Sequence, residues 1–299
     1  VTIVPLYSIP RTATFAFEVV LTSFVTEANL PLALFVFSLL FFAATLFYAL
    51  RPGRILDWVG MYLTPAFVGL LSILIIATVV RPMGNQVNYP ALGDYATQPL
   101  FTGIIGGYNT MDALASLAFA IIIISNIEKL GVTDPKRKAI ETLKSGIVCL
   151  VGMGVIYSAL AYMGATSLGS VESGANGGII LASVSKHYFG LFGQVLLAAI
   201  VLVACLKTAI GLITACGQMF SEMFPNSLSY NQYAIAFTFV SFAIANFGLE
   251  TIIQLSLPVL MFLYPLAIVL IILSLLNPVI KKQKTVYQWT IGLTVFAAL

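Results

Sequence analysis

Gly103-Ile104-Ile105-Gly106-Gly107-Tyr108-Asn109-Thr110-Met111-Asp112-Ala113 lies in the middle of an apolar run from about Leu100 to Ile127. A helix needs about 20 such residues to cross a hydrocarbon core, and this run is long enough. Its centre nevertheless holds what a spanning helix avoids. Gly106 and Gly107 weaken a helix, because glycine loses the most conformational freedom on ordering. Asn109, Thr110 and Asp112 follow, residue types that cap the start of a new helix. A carboxylate at this depth costs at least about 2.5 kcal/mol unless it faces water, a partner or a backbone terminus. The spacing predicts a helix broken near 105–110. Its outer half ends at Ile105–Gly107 with free carbonyls, suited to an ammonium or a cation. Its inner half begins at Asn109–Asp112 with free amides and partial positive charge. The competing reading is a kinked helix in which Asp112 only caps the second half.

The surrounding chain is built for lipid. Of its 299 residues 60% are hydrophobic and 8% charged, against about 25% charged in a soluble domain. Apolar runs read as a partial span at 1–20, then 32–50, 59–80, 101–127, 140–166, 189–220, 232–249 and 252–276, with another starting near 286. Arg51-Pro52-Gly53-Arg54, Arg81-Pro82, Asp134-Pro135 and Asn277-Pro278 punctuate them. Barrel strands alternate apolar and polar over about ten residues; these runs are longer and apolar all round. The fold class is therefore an all-α integral membrane protein, a polytopic helical bundle forming one transmembrane domain over residues 1–299. Both ends fall inside apolar stretches, so the chain reads as part of a longer one.

Basic residues give the direction. Arg51 and Arg54 share one loop; Lys129, Lys136, Arg137, Lys138 and Lys144 flank another; Lys281, Lys282 and Lys284 lie in a third. An even number of spans separates these loops, and the opposite side carries only Arg81 and Lys186. The bias places the basic loops in the cytoplasm. Two long outer loops, 81–100 and 167–188, either cap a solute pathway or simply connect; the second contains a short helical pattern at Gly178–Lys186.

Further charges sit at membrane depth. Lys207 lies near the centre of the 189–220 span, the lone charge between Gly190 and Glu222, too deep to snorkel easily. It faces a polar cavity with a partner or is neutral. Thr208 and Thr214 offer hydroxyls to an ion or bond to the preceding helical turn. Near the start, Pro10 interrupts regular helix and Arg11 is again an intramembrane charge, paired with Glu18 two turns on or facing a cavity. Tyr7 is a weaker pathway candidate. Pro258 and Pro265 put two kinks on one face of the 252–276 helix. Cys149, Cys205 and Cys216 all lie in apolar runs, where cysteine is a small hydrophobe. His187 is the single histidine, with no metal-ligand spacing and no paired aspartates, which argues against a membrane enzyme.

Three segments carry a resemblance: Pro10-Arg11-Thr12-Ala13-Thr14 with Phe17-Glu18, Gly107-Tyr108-Asn109-Thr110-Met111-Asp112-Ala113-Leu114-Ala115, and Cys205-Leu206 with Thr208-Ala209-Ile210-Gly211-Leu212. Together they resemble the bacterial branched-chain amino acid:cation symporters, over nearly the whole chain and with the same span spacing. That family is similar in fold to the leucine-transporter group of the amino acid-polyamine-organocation superfamily, two inverted repeats of five helices with broken first and sixth helices. The resemblance implies a partial fold holding family helices 3 to 11, with the 100–127 span as the broken sixth and 189–220 as the eighth. It implies that the family's first two helices and its last lie outside this chain. The first of these supplies amides to the substrate carboxylate and shares a sodium site with the eighth. Lys207 departs from the pattern, standing where a hydroxyl residue is expected beside Thr208.

The resemblance thus implies cation-coupled symport of leucine, isoleucine and valine by alternating access in the bacterial cytoplasmic membrane. Substrate would meet Ile104, Ile105, Gly106, Gly107, Tyr108, Asn109, Thr110 and Asp112. Lys207 and Thr208 would serve ion coupling, with Tyr7 and Arg11 along the pathway. The partners are a small amino acid and the lipid bilayer, not nucleic acid. No cofactor is implied beyond a coupling ion, sodium or a proton. The alternatives are a carrier of another amino acid or a nucleobase on the same fold, and a nonfunctional truncated remnant.

Overall fold

The computed structural model describes residues 4–22, 25–51, 54–84, 90–91, 93–171, 177–276 and 284–298. Pro52-Gly53, Asn277-Pro278, Lys281, Lys282 and parts of both long outer loops lie outside the described residues. Helix dominates throughout, and no strand occurs among the described residues.

A π-helical turn, Val4–Ser8, leads into α1 (Ile9–Val20). Then come α2 (Leu30–Leu50), α3 (Arg54–Val80), α4 (Pro99–Tyr108), α5 (Asp112–Lys129) and α6 (Pro135–Thr166). The chain continues through α7 (Gly177–Met223), α8 (Tyr230–Ala245), α9 (Leu249–Leu275) and α10 (Lys284–Ala298). Among the described residues α2, α6, α7 and α9 are each long and apolar enough to cross a membrane. The predicted 101–127 span is divided between α4 and α5. The predicted 189–220 span is the inner part of α7. Its outer arm contains the short helical pattern at Gly178–Lys186, and Gly190 turns the chain between the two with φ +64° and ψ −157°.

Local chemistry fixes the helix ends. Pro10 lies in the first turn of α1, where a proline costs little because its missing N–H has no intrahelical partner. It therefore marks the change from π-helical to α-helical winding and does not break α1. Asp134 caps α6, its carboxylate accepting the Arg137 amide at 2.9 Å, with Pro135 as the first helical residue. Ser229 and Gln232 form a capping box at the start of α8.

The bundle centres on α1, which packs most extensively on α7 and also against α2 and α8. Small residues allow that approach: Ala13, Ala16, Ala49, Ala209, Ala234 and Ala245 are buried beside Ile9, Phe41, Phe42 and Ile213. Helices in lipid associate by such close packing, since tails are as apolar as leucine. A second cluster joins Val19 of α1 to Leu71 and Leu74 of α3, Met163 of α6, and Leu197 and Val201 of α7.

Gly217 of α7 belongs to the close-packed seam with α8. A Cβ there would stand 2.9 and 3.1 Å from two ring carbons of Tyr230. That ring is tethered, because its hydroxyl donates to the Ala49 carbonyl at 2.8 Å. Gly217→Ala is expected to destabilise the protein by about 1–3 kcal/mol, the usual range for an overpacked seam. Thermal unfolding in detergent reads this; an unchanged midpoint would mean the ring moves aside at no cost.

Candidate functional site at the helix break

The interruption between α4 and α5 falls at Asn109–Met111, slightly beyond the glycine pair. Gly106 and Gly107 remain helical, and Met111 turns the chain with φ +60° and ψ +12°, the one non-glycine residue at positive φ among those described. Such a conformation costs on the order of 1–3 kcal/mol and persists where the surroundings enforce it. Here Met111 is buried with Leu260 and Tyr264 of α9, against Tyr7, Tyr108 and Leu114. Tyr108 and Tyr264 stack with ring centroids 4.3 Å apart and planes 13° apart.

Two details differ from the predicted break. The carbonyls of Gly106, Gly107 and Tyr108 accept the amides of Asn109, Thr110 and Met111 at 3.1 to 3.2 Å, so the end of α4 is tightened and not left open. Nor do the polar residues cap α5. Its N-cap position is Met111, without a side-chain bond. Thr110 instead turns its hydroxyl back to the Gly107 carbonyl at 2.8 Å, and Asp112 is the first residue of α5, where its charge suits the positive helix end.

A cleft of about 480 Å³ opens beside the break. Ser8 of the π-helical turn and Arg11, Thr12 and Phe15 of α1 line it, with Thr110 and Met111 from the break, Asp112 and Ala115 from α5, Tyr157 from α6, and Cys205, Thr208 and Leu212 from α7. The Arg11 guanidinium crosses the cleft and donates to the Asn109 carbonyl. Of the two predicted roles for Arg11, the structure shows the cavity one. Glu18 turns elsewhere and accepts the Thr22 hydroxyl at 3.0 Å. The carboxyl of Asp112 accepts the Tyr157 hydroxyl at 2.6 Å. Arg11 also lies within Coulombic reach of Asp112, Tyr157 and Tyr264. Close to this network Asn109 Oδ1 is buried without a hydrogen-bond partner among the described residues.

Of the residues predicted for the site, Arg11, Thr110, Asp112 and Thr208 meet in the cleft. Asn109 takes part through its carbonyl, and Tyr7 and Tyr108 pack behind Met111. Ile104, 45% exposed, does not line it, and neither do Ile105, Gly106 and Gly107; Gly106 faces the Tyr95 hydroxyl of the outer loop. Lys207 is also absent from the cleft wall. Cys205, Thr208 and Leu212 share one face of α7, and Lys207 lies a helical step away from it. The Thr208 hydroxyl donates to the Ala204 carbonyl at 2.9 Å, in the preceding turn. Sequence reasoning missed Tyr157 and Tyr264. Their signal was a tyrosine in mid-span, away from the interfaces where membrane tyrosines concentrate.

The family model for "Branched-chain amino acid transport protein" matches residues 1–299. The chain is 48% identical over 299 residues to the branched-chain amino acid permease BrnQ of Lactobacillus delbrueckii subsp. lactis, covering all of this chain and 67% of that one. It is 40% identical over 296 residues to the branched-chain amino acid permease BraB of Bacillus subtilis, covering 99% of this chain and 66% of that one. It is 40% identical over 273 residues to the branched-chain amino acid transport system 2 carrier protein of Pseudomonas aeruginosa, covering 91% and 61%. The chain thus spans about two thirds of the length of these relatives. No solved structure matches it. Spanning helices and bacterial relatives together make it a multi-pass protein of the bacterial cytoplasmic membrane. With its whole length matched and close relatives on every side, the chain belongs to the branched-chain amino acid transport protein family.

Proposed function

We propose that this chain forms the α1–α10 portion of a secondary carrier that moves leucine, isoleucine and valine by alternating access, driven by a cation gradient. One observation carries the site assignment. The interrupted helix opens onto a cleft that combines a guanidinium, a carboxyl and an apolar wall of Phe15, Met111, Ala115 and Leu212. A charged end and an aliphatic end are what a branched-chain amino acid presents, and small-solute pockets pair an apolar lining with few polar groups. The names of the relatives supply the branched-chain class. The leucine-transporter-like arrangement remains part of this proposal. In it α4 and α5 act as two half-helices that meet beside the substrate at mid-membrane, and Thr208 lies within reach of a coupling ion.

The test is radiolabelled leucine uptake into cells lacking their own carriers, using the full gene product. Uptake is expected to saturate, to be competed by isoleucine and valine, and to resist phenylalanine and uracil. It is also expected to fall when either the sodium or the proton gradient is collapsed, which identifies the ion. An inserted protein that takes up no leucine ends the branched-chain assignment. Uptake indifferent to both gradients ends the symport mechanism.

A further inference from the structure

The cleft holds a cation and an anion that do not pair with each other. Arg11 and Asp112 both line it and feel each other's charge. Among the described residues, however, ion pairs form elsewhere, between Lys138 and Glu128 and between Lys144 and Glu141. Each cleft charge is steadied by a neutral group. Arg11 rests on the Asn109 carbonyl, and Asp112 accepts Tyr157 at 2.6 Å. Opposite charges in a half-buried site gain by closing on one another, because attraction strengthens as water is excluded. Held apart, they present a positive and a negative pole to one space. A guanidinium has five N–H donors, and the Asn109 carbonyl occupies the donors of one nitrogen at most. Tyr157 likewise occupies one of the two carboxyl oxygens of Asp112.

We propose, building on the cleft as the substrate site, that these poles receive the two ends of a zwitterionic α-amino acid. Arg11 takes the carboxylate. Asp112, oriented by Tyr157, takes the ammonium. This changes two roles that the resemblance implied: the free carbonyls at the end of α4 were to receive the amino group, and the amides of a helix outside this chain were to receive the carboxylate. The end of α4 is already engaged, by its own tightened turns and by Arg11. The ammonium therefore goes to the carboxyl one turn further on.

Two half-ligands separate the poles. 4-Methylpentanoate is leucine without its ammonium, and 3-methylbutylamine is leucine without its carboxylate. Binding of each to the purified full gene product is read as a ligand-induced rise in melting temperature, with leucine as the reference. Arg11→Gln is expected to weaken 4-methylpentanoate by about ten- to a hundredfold, the loss of a charge-assisted contact, and to leave 3-methylbutylamine nearly unchanged. Asp112→Asn is expected to do the reverse. Arg11→Lys, which keeps the charge, retains the acid and guards against simple misfolding. Equal loss of both probes in each variant, no loss in either, or a wild type that binds leucine but neither half-ligand would overturn the assignment. A wild type that fails to bind leucine at all instead overturns the reading of the cleft as the substrate site.

Discussion

Asp112→Ala is expected to reduce leucine uptake by about a hundredfold or more while the protein still inserts. Three losses coincide at that position. The carboxyl that accepts Tyr157 disappears, the negative pole of the cleft disappears, and Arg11 is left without an opposing charge. No ion-pair contact joins Arg11 to Asp112, so the loss is that of charge-assisted contacts, each about 1.5–3 kcal/mol. Arg11 and Asp112 are half-buried, so water screens part of that, and a hundredfold corresponds to about 2.7 kcal/mol. Asp112→Asn keeps an acceptor for Tyr157 and should retain the fold better than alanine without restoring uptake. Combining Arg11→Gln with Asp112→Asn balances the charge again. That pair should unfold at a higher temperature than either single variant yet remain inactive. Uptake is checked against surface labelling of the inserted carrier. Wild-type uptake by Asp112→Ala at equal surface density would remove the break from the transport mechanism.

The parts of this site that were legible in the sequence are those encoded locally. A glycine pair, two further polar residues and an intramembrane carboxylate within one apolar run announce an interrupted helix. The exact turn was not legible, because glycine also tolerates helix, at about 1 kcal/mol each, and the left-handed residue proved to be Met111, whose type carries no such signal. Its conformation is imposed by Leu260 and Tyr264, which lie far along the chain. The partners were hidden for the same reason. Arg11 and Asn109 are 98 positions apart and Asp112 and Tyr157 are 45 apart, so nothing in either neighbourhood points to the other. Within α1, Glu18 looked like a partner for Arg11 because both lie on one helix. The carbonyl end of α4 across the cleft is nearer in space and carries the opposite partial charge. Lys207 shows the converse. A lone charge in an apolar run reads as chemistry, but the cleft meets the face of α7 that holds Cys205, Thr208 and Leu212. The sequence defines helical phase along α7 without indicating which face meets the cleft.

Gly193→Ala should destabilise the protein more than Gly217→Ala, and the reason is which atoms would collide. At Gly193 an added Cβ would collide with the Cβ of Phe189 and stand 3.2 Å from its Cγ and 3.1 Å from the Ser185 carbonyl oxygen. At Gly217 the obstacle is the far edge of a ring. At Gly193 it is a Cβ and a backbone carbonyl, which no rotamer change can move. The crowding follows from Gly190, whose φ of +64° and ψ of −157° fold the outer arm of α7 so that Phe189 lies over Gly193. Relief requires the arm to swing, and it is tied down by the Tyr188 hydroxyl, which donates to the Arg81 carbonyl at the end of α3. The cost should reach or exceed the upper end of the usual overpacking range, about 3 kcal/mol, a drop of roughly 6–12 °C at this size. Gly190→Ala, at a φ and ψ that essentially only glycine adopts, should lose about 1–3 kcal/mol. Limited proteolysis of the 177–189 arm offers a second readout, with cleavage faster in Gly193→Ala than in wild type. Equal midpoints and equal cleavage would mean that the arm does not rest on Gly193 in the membrane.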